Sequence, residues 1–137
     1  MREKEYFMGK GSKSADQVYD DAQIEIMLAD QLPNWSYRAG FMHRAFHTAG
    51  WKGTLMVVNA VAHLAEAAWH HPDLSVSFDC VNVNLMTHDV NGITAKDFEL
   101  ALKIEEFVMW RPGLDRQSPL EGTPNDPRFK YLVYEEK

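Results

Sequence analysis

The spacing of apolar side chains along this chain switches between a helical and an extended period, and the switches divide it into elements. Ile24, Met27 and Leu28 recur at helical spacing and Pro33-Asn34 closes the run, which predicts an amphipathic helix over 21–32. The aromatic stretch 35–46 is interrupted by Ala39-Gly40, so two short strands around a turn are expected there. Between 51 and 69 the helical period returns, with Val57, Val61, Leu64 and Ala68 on one face and Leu55, Val58, Ala62, Ala65 and Trp69 beside it. A helix apolar over so much of its circumference is expected to pack on a sheet and on a second subunit.

Pro72 ends that helix, because it cannot continue the hydrogen-bond ladder and it pushes His71 out of the α region. Beyond it, Val76, Phe78 and Cys80 occupy even positions, whereas Val81, Val83 and Leu85 occupy odd ones. A period-two pattern that changes phase contains a bulge or a turn, and a tight hairpin near 79–81 supplies two further strands. Asn91-Gly92 turns the chain, and Thr94-x-x-Asp97 has the form of a capping box that opens a third helix. This helix is expected to run to about 107 with Phe98, Ala101, Leu102 and Val108 inward. The fold class that results is α+β, built on a four-stranded, mainly antiparallel sheet.

Four prolines and two glycines between 111 and 128 exclude a helix there. The following stretch alternates Phe129, Tyr131 and Val133 with Lys130, Leu132 and Tyr134, which reads as an extended segment. It is expected to lie on this subunit or a neighbour, and is the candidate docking element for a protein partner. Three regions follow: a loosely ordered arm over 1–20, a folded domain over 21–110 and an extension over 111–137.

Composition narrows the function. With 20 acidic against 14 basic residues the net charge is −6, so neither nucleic acid nor an anionic membrane is an expected partner. Cys80 is the single cysteine, which excludes an internal disulfide and a cysteine-based zinc cluster; a buried thiol in a strand is expected. The charged N-terminal stretch lacks the apolar core of a secretory signal, and a cytoplasmic location is expected.

Chemistry concentrates between Glu66 and Asp97, which hold His70, His71 and His88, half of all the histidines. Asn59, His63, Glu66 and His70 form a polar stripe on the otherwise apolar second helix, where each must be satisfied by a partner or face a cleft. Neither the His-Glu-x-x-His of zinc proteases nor the repeated Glu-x-x-His of ferritin-like sites is present, so no metal is expected. His43 and His47 read as strand-face residues. Three imidazoles from a helix end and a strand end, with Glu66 behind them and no nucleophile, suit acid/base elimination or addition. Asp97, at the third position of its helix, favours the helix start electrostatically whatever its other role.

The spacing of Glu66, His70-His71-Pro72, Phe78, His88 and Asp97 resembles the signature of the pterin-4a-carbinolamine dehydratases. Ala65-Glu66, Thr87-His88-Asp89 and Gly92-Ile93-Thr94 extend the match, which covers about 24–107. The resemblance implies three helices on one face of the sheet, assembly into homodimers or homotetramers, and a small-molecule pterin substrate handled without metal, flavin or nicotinamide. It further implies that His70 and His88 transfer protons, that His71 orients the pterin, that Glu66 bonds a histidine or the pterin's amino edge, and that Asp97 fixes His88 or the helix start. Leu74 departs from the aromatic residue often found after His-His-Pro-Asp, and the segment after Trp110 exceeds the usual family length. The alternative is a non-catalytic protein-assembly or binding factor on the same fold, of the RuBisCO-assembly or transcriptional-coactivator kind.

Overall fold

The computed structural model describes residues 17–135, in the order α1 (Asp21–Gln31), β1 (Ser36–Arg38), β2 (Phe41–His47), α2 (Trp51–Ala68), β3 (Asp73–Ser77), β4 (Cys80–Leu85) and α3 (Ala95–Val108). Single 3-10 turns lie at His88–Val90 and Pro112–Leu114. Most of the arm expected over 1–20 lies outside the described residues, and its last part is not loose. Tyr19 donates its N–H to the Ile93 carbonyl and sets its ring edge-on to Phe98, with centroids 5.9 Å apart. Asp20 caps α1 in a reciprocal box with Gln23, which satisfies orphan amides of the first turn.

The four strands pair antiparallel in the order β1-β2-β4-β3. Ala39 and Gly40 both adopt positive φ, the geometry that lets a two-residue turn follow the twist of its strands. The phase change after Pro72 is a hairpin: Ser77 pairs with Cys80, so Phe78 and Asp79 form the turn and Val76 faces Val81 across the ladder. Alternation then buries Met42 and Phe46 of β2 with Val81, Val83 and Leu85 of β4. Against this face lie Ile24 and Leu28 of α1, Val57, Val61 and Ala65 of α2, and Phe98, Ala101, Ile104 and Val108 of α3. Leu55 and Trp69 face outward from α2 in the single chain, on the side expected to meet a second subunit. Two expectations need correcting. Leu102 is exposed, because the inward stripe of α3 runs through Leu100, Ala101 and Ile104 instead. Cys80 is half-exposed on the open face of the sheet, where burial and then the neighbouring Asp79 push its thiol pKa up.

Parity along β2 also turns Arg44 into the core, where its side chain is 2% exposed. All five of its N–H donors are used. Nε and Nη2 grip Glu105 at 2.8 and 2.9 Å, Nη1 and Nη2 grip Glu135 at 2.7 and 3.1 Å, and Nη1 also reaches the Ala45 carbonyl at 2.9 Å. Trp35 Nε1 donates to the same Glu105 oxygen at 2.8 Å. Burial pushes the guanidinium toward a lower pKa, but the two carboxylates outweigh it and hold Arg44 above its ordinary value.

Glu135 belongs to the C-terminal extension, which packs on its own chain. Leu132 enters the core, Thr48 bridges to it, and backbone bonds link Val133 N to His47 O and Ala49 N to Tyr131 O. The extended segment expected over 129–134 is thus one bridge rather than a strand, and its inward residue is Leu132; Phe129 and Val133 are exposed. Gly53 makes this docking possible, since a Cβ there would run into the Tyr131 carbonyl.

Candidate active site

The C-terminal end of α2 sets the first two histidines. Trp69 takes a left-handed conformation at φ 53°, its N–H bonding Glu66 O while His70 N–H bonds Ala65 O. This pair of bonds is a Schellman closure in a position that usually holds glycine. Pro72 then keeps His71 extended. The two imidazoles are held differently. His70 Nε2 lies 2.7 Å from Asp97 Oδ1, with side chains 13% and 0% exposed, whereas His71 Nε2 lies 2.8 Å from Glu66 Oε1 at the surface. The His71 ring also meets Trp69 edge-on, centroids 5.0 Å apart.

The end of β4 places the third. Thr87 closes a small loop by pairing with Gly92, and His88 opens the 3-10 turn within it, exposed, with Asn91 left-handed at its end. Thr87 is buried and donates its hydroxyl to Asp97 Oδ2 at 2.7 Å. Asp97 Oδ2 also accepts the Thr94 N–H at 2.9 Å, completing the capping box of α3. Asp97 therefore fixes the helix start and His70, and among the described residues it makes no bond to His88 itself; its link to that loop runs through Thr87.

Of the polar stripe on α2, Asn59 and His63 face solvent away from these bonds. His43 and His47 lie on the open sheet face, where His43 Nε2 is 3.0 Å from Asn82 Oδ1 and Arg38 Nη2 lies 2.8 and 3.0 Å from the two ring nitrogens. Surface depressions of about 220 Å³ lie beside Lys103, Phe107 and Trp110 and beside Gly50, Lys52 and Lys130, and neither is lined by a candidate histidine. Among the described residues no group of three His, Cys, Asp or Glu side chains is arranged to hold a metal ion, and no helix is long and apolar enough to cross a membrane.

Residues 17–107 match the family model described as pterin 4 alpha carbinolamine dehydratase. The chain belongs to this dehydratase family. A relative from Aquifex aeolicus that bears the family's name is 49% identical over 79 residues, covering 58% of this chain and 80% of its own length. One from Roseiflexus castenholzii is 39% identical over 91 residues, covering 66% of this chain and 97% of its own. The crystal structure of a transcriptional coactivator/pterin dehydratase from Brucella melitensis superposes with a TM-score of 0.62 at 22% identity, over 67% of this chain and 99% of that one, a likeness of fold. The family match takes in every candidate histidine, Glu66 and Asp97, and leaves 108–137 outside it.

Proposed function

We propose that this dehydratase-family protein converts 4a-hydroxytetrahydropterin to quinonoid dihydropterin and water by histidine acid/base catalysis, as a step of tetrahydropterin recycling. The leaving C4a hydroxyl takes up a proton, N5 gives one up, and a C4a–N5 double bond forms as the C4a–O bond breaks. An acid and a base positioned on the substrate are sufficient. His70 and His88 are assigned these transfers, and His71, braced by Glu66 and free to reach solvent, orients the pterin. The observation that carries the reading is the bond between His70 and the fully buried Asp97, which fixes one imidazole in place beside a loop that presents another.

The test is to mix purified protein with freshly generated 4a-hydroxytetrahydropterin and follow the ultraviolet absorbance of the pterin. Decay faster than in buffer supports the reading, and decay at the buffer rate overturns it. A protein-binding role is the second reading. Trp110, Leu114 and Leu120, in the segment outside the family match, are all exposed apolar side chains, and they favour it.

A further inference from the structure

We infer that Thr87 is a positioning residue for His70, acting through Asp97 to hold the imidazole in the tautomer that carries its hydrogen on Nε2. Its consequence for catalysis rests on the dehydratase reading above; the tautomer does not.

Thr87 has a single hydroxyl hydrogen, and it is given to Asp97 Oδ2. The 2.8 Å contact between the hydroxyls of Thr87 and Thr94 must then use the hydrogen of Thr94. Thr94 Oγ1 in turn accepts the Lys96 N–H at 3.2 Å. Hydrogens therefore run one way, from the first turn of α3 through Thr94 and Thr87 into the carboxylate, and the Thr94 N–H adds a second donor to Oδ2. Two donors on Oδ2 stabilise the negatively charged carboxylate, which is acceptor-only, so the 2.7 Å bond on Oδ1 is made by hydrogen on His70 Nε2. Nδ1 is left as the nitrogen of His70 that exchanges a proton with a bound molecule, and in its neutral form His70 is a proton acceptor.

Burial gives the chain its force. Thr87 is 3% exposed and Thr94 and Asp97 are 0% exposed, so water has no access to replace a missing partner. Removing the Thr87 hydroxyl would leave Asp97 Oδ2 with one donor fewer and the Thr94 hydrogen without its acceptor. The capping box that starts α3 thereby also sets the chemistry of a side chain at the end of α2, twenty-seven positions earlier.

The experiment compares wild type, Thr87→Val and Thr87→Ser by long-range 15N–1H correlation of the histidine rings, together with dehydration kinetics. Expected are an Nε2–H tautomer for His70 in the wild type, a mixed tautomer in Thr87→Val with kcat lowered about tenfold, the rate equivalent of one charge-assisted hydrogen bond, and KM within about twofold. Thr87→Ser restores tautomer and rate together, which a purely structural role for the threonine methyl would not do. An Nδ1–H tautomer in the wild type overturns the inference even if Thr87→Val fails to fold. So does a Thr87→Val protein with wild-type spectrum and kcat, or a Thr87→Ser protein no better than Thr87→Val. If the wild type turns over no pterin, the proposed function falls while the spectra still decide the tautomer.

Discussion

His70 and His71 are neighbours in sequence held by opposite means, and the difference separates the effects expected of each. A buried carboxylate fixes His70, so His70→Ala should lower turnover by roughly 10²-fold or more, the scale of a positioned acid or base, and His88→Ala should do the same. His71 pairs with Glu66 at the surface, 50% and 70% exposed, and an ion pair there is worth about 0–1 kcal/mol. His71→Ala should therefore leave stability almost unchanged and raise KM, and an unchanged KM would count against its orienting role. Steady-state kinetics on variants shown by circular dichroism to be folded checks all three. His43 supplies a pH test away from the site. Burial, then the nearby Arg38 cation, hold its pKa below the usual histidine value, against the opposite pull of Asn82. A histidine depressed on folding is bound by protons more readily in the unfolded chain, so its contribution is present above a pH of about 6.5 and is lost as pH falls toward the folded value. His43→Gln should flatten the fall in melting temperature between neutral pH and the acid side of that window; an unchanged slope would show that His43 does not report it.

At the scale of elements, the docking of the extension and the anchoring of Asp97 were the parts least legible in advance. Periods of apolar residues located all three helices and four strands, because each element shows one stripe or one face to a shared core. The spacing of Glu66, His70, His71, His88 and Asp97 marked the candidate site, and all five lie at or near element ends that the pattern defines. The burial of Arg44 between Met42 and Phe46 was not read from the sequence, and its partners Glu105 and Glu135 are 61 and 91 residues away with no local rule to connect them. Thr87 was equally silent, as a threonine in a strand-like stretch fits the pleat with or without a hydroxyl partner. The extension can be tested residue by residue. Leu132→Ala should cost about 2–5 kcal/mol, the range for a buried leucine, and Arg44→Leu about 3–5 kcal/mol, because it strands two carboxylates around an apolar side chain. Burial pushes Glu135 up, yet the bond and charge of Arg44 prevail and hold it below the usual carboxylate range. Its contribution is therefore present above that range and is lost as pH falls through the folded value. Glu135→Gln should lower the melting temperature at neutral pH and converge with wild type in acid; a constant gap across pH would mean that the charge of Glu135 is not what Arg44 requires.

At the scale of the whole molecule, an apolar surface stays uncovered along α2 in the single chain, and the extension docks at the same end of that helix. Trp51, Leu55 and Met56 are 52%, 41% and 45% exposed along the outer side of α2, an apolar stripe that one sheet face does not cover. This stripe leads to the expectation of a homo-oligomer whose stability rises with protein concentration. The extension, by contrast, is fastened to its own chain at Thr48, Ala49 and Gly53, by the N-terminal turn of α2. An 18-residue helix is about 27 Å long, so that turn is nearly three nanometres from the His70 end. Ending the chain at Trp110 removes Leu132 from the core and one carboxylate from Arg44, so the shortened protein should melt at lower temperature while His70 keeps its bond to Asp97. It should also assemble less firmly, because the segment stripped away braces the N-terminal turn that carries Trp51 and Leu55. Light scattering and thermal melts of the full-length and shortened proteins over a dilution series decide between these expectations. A full-length monomer at micromolar concentration would refute the oligomer, and equal masses with equal melting temperatures would refute the part given to the extension.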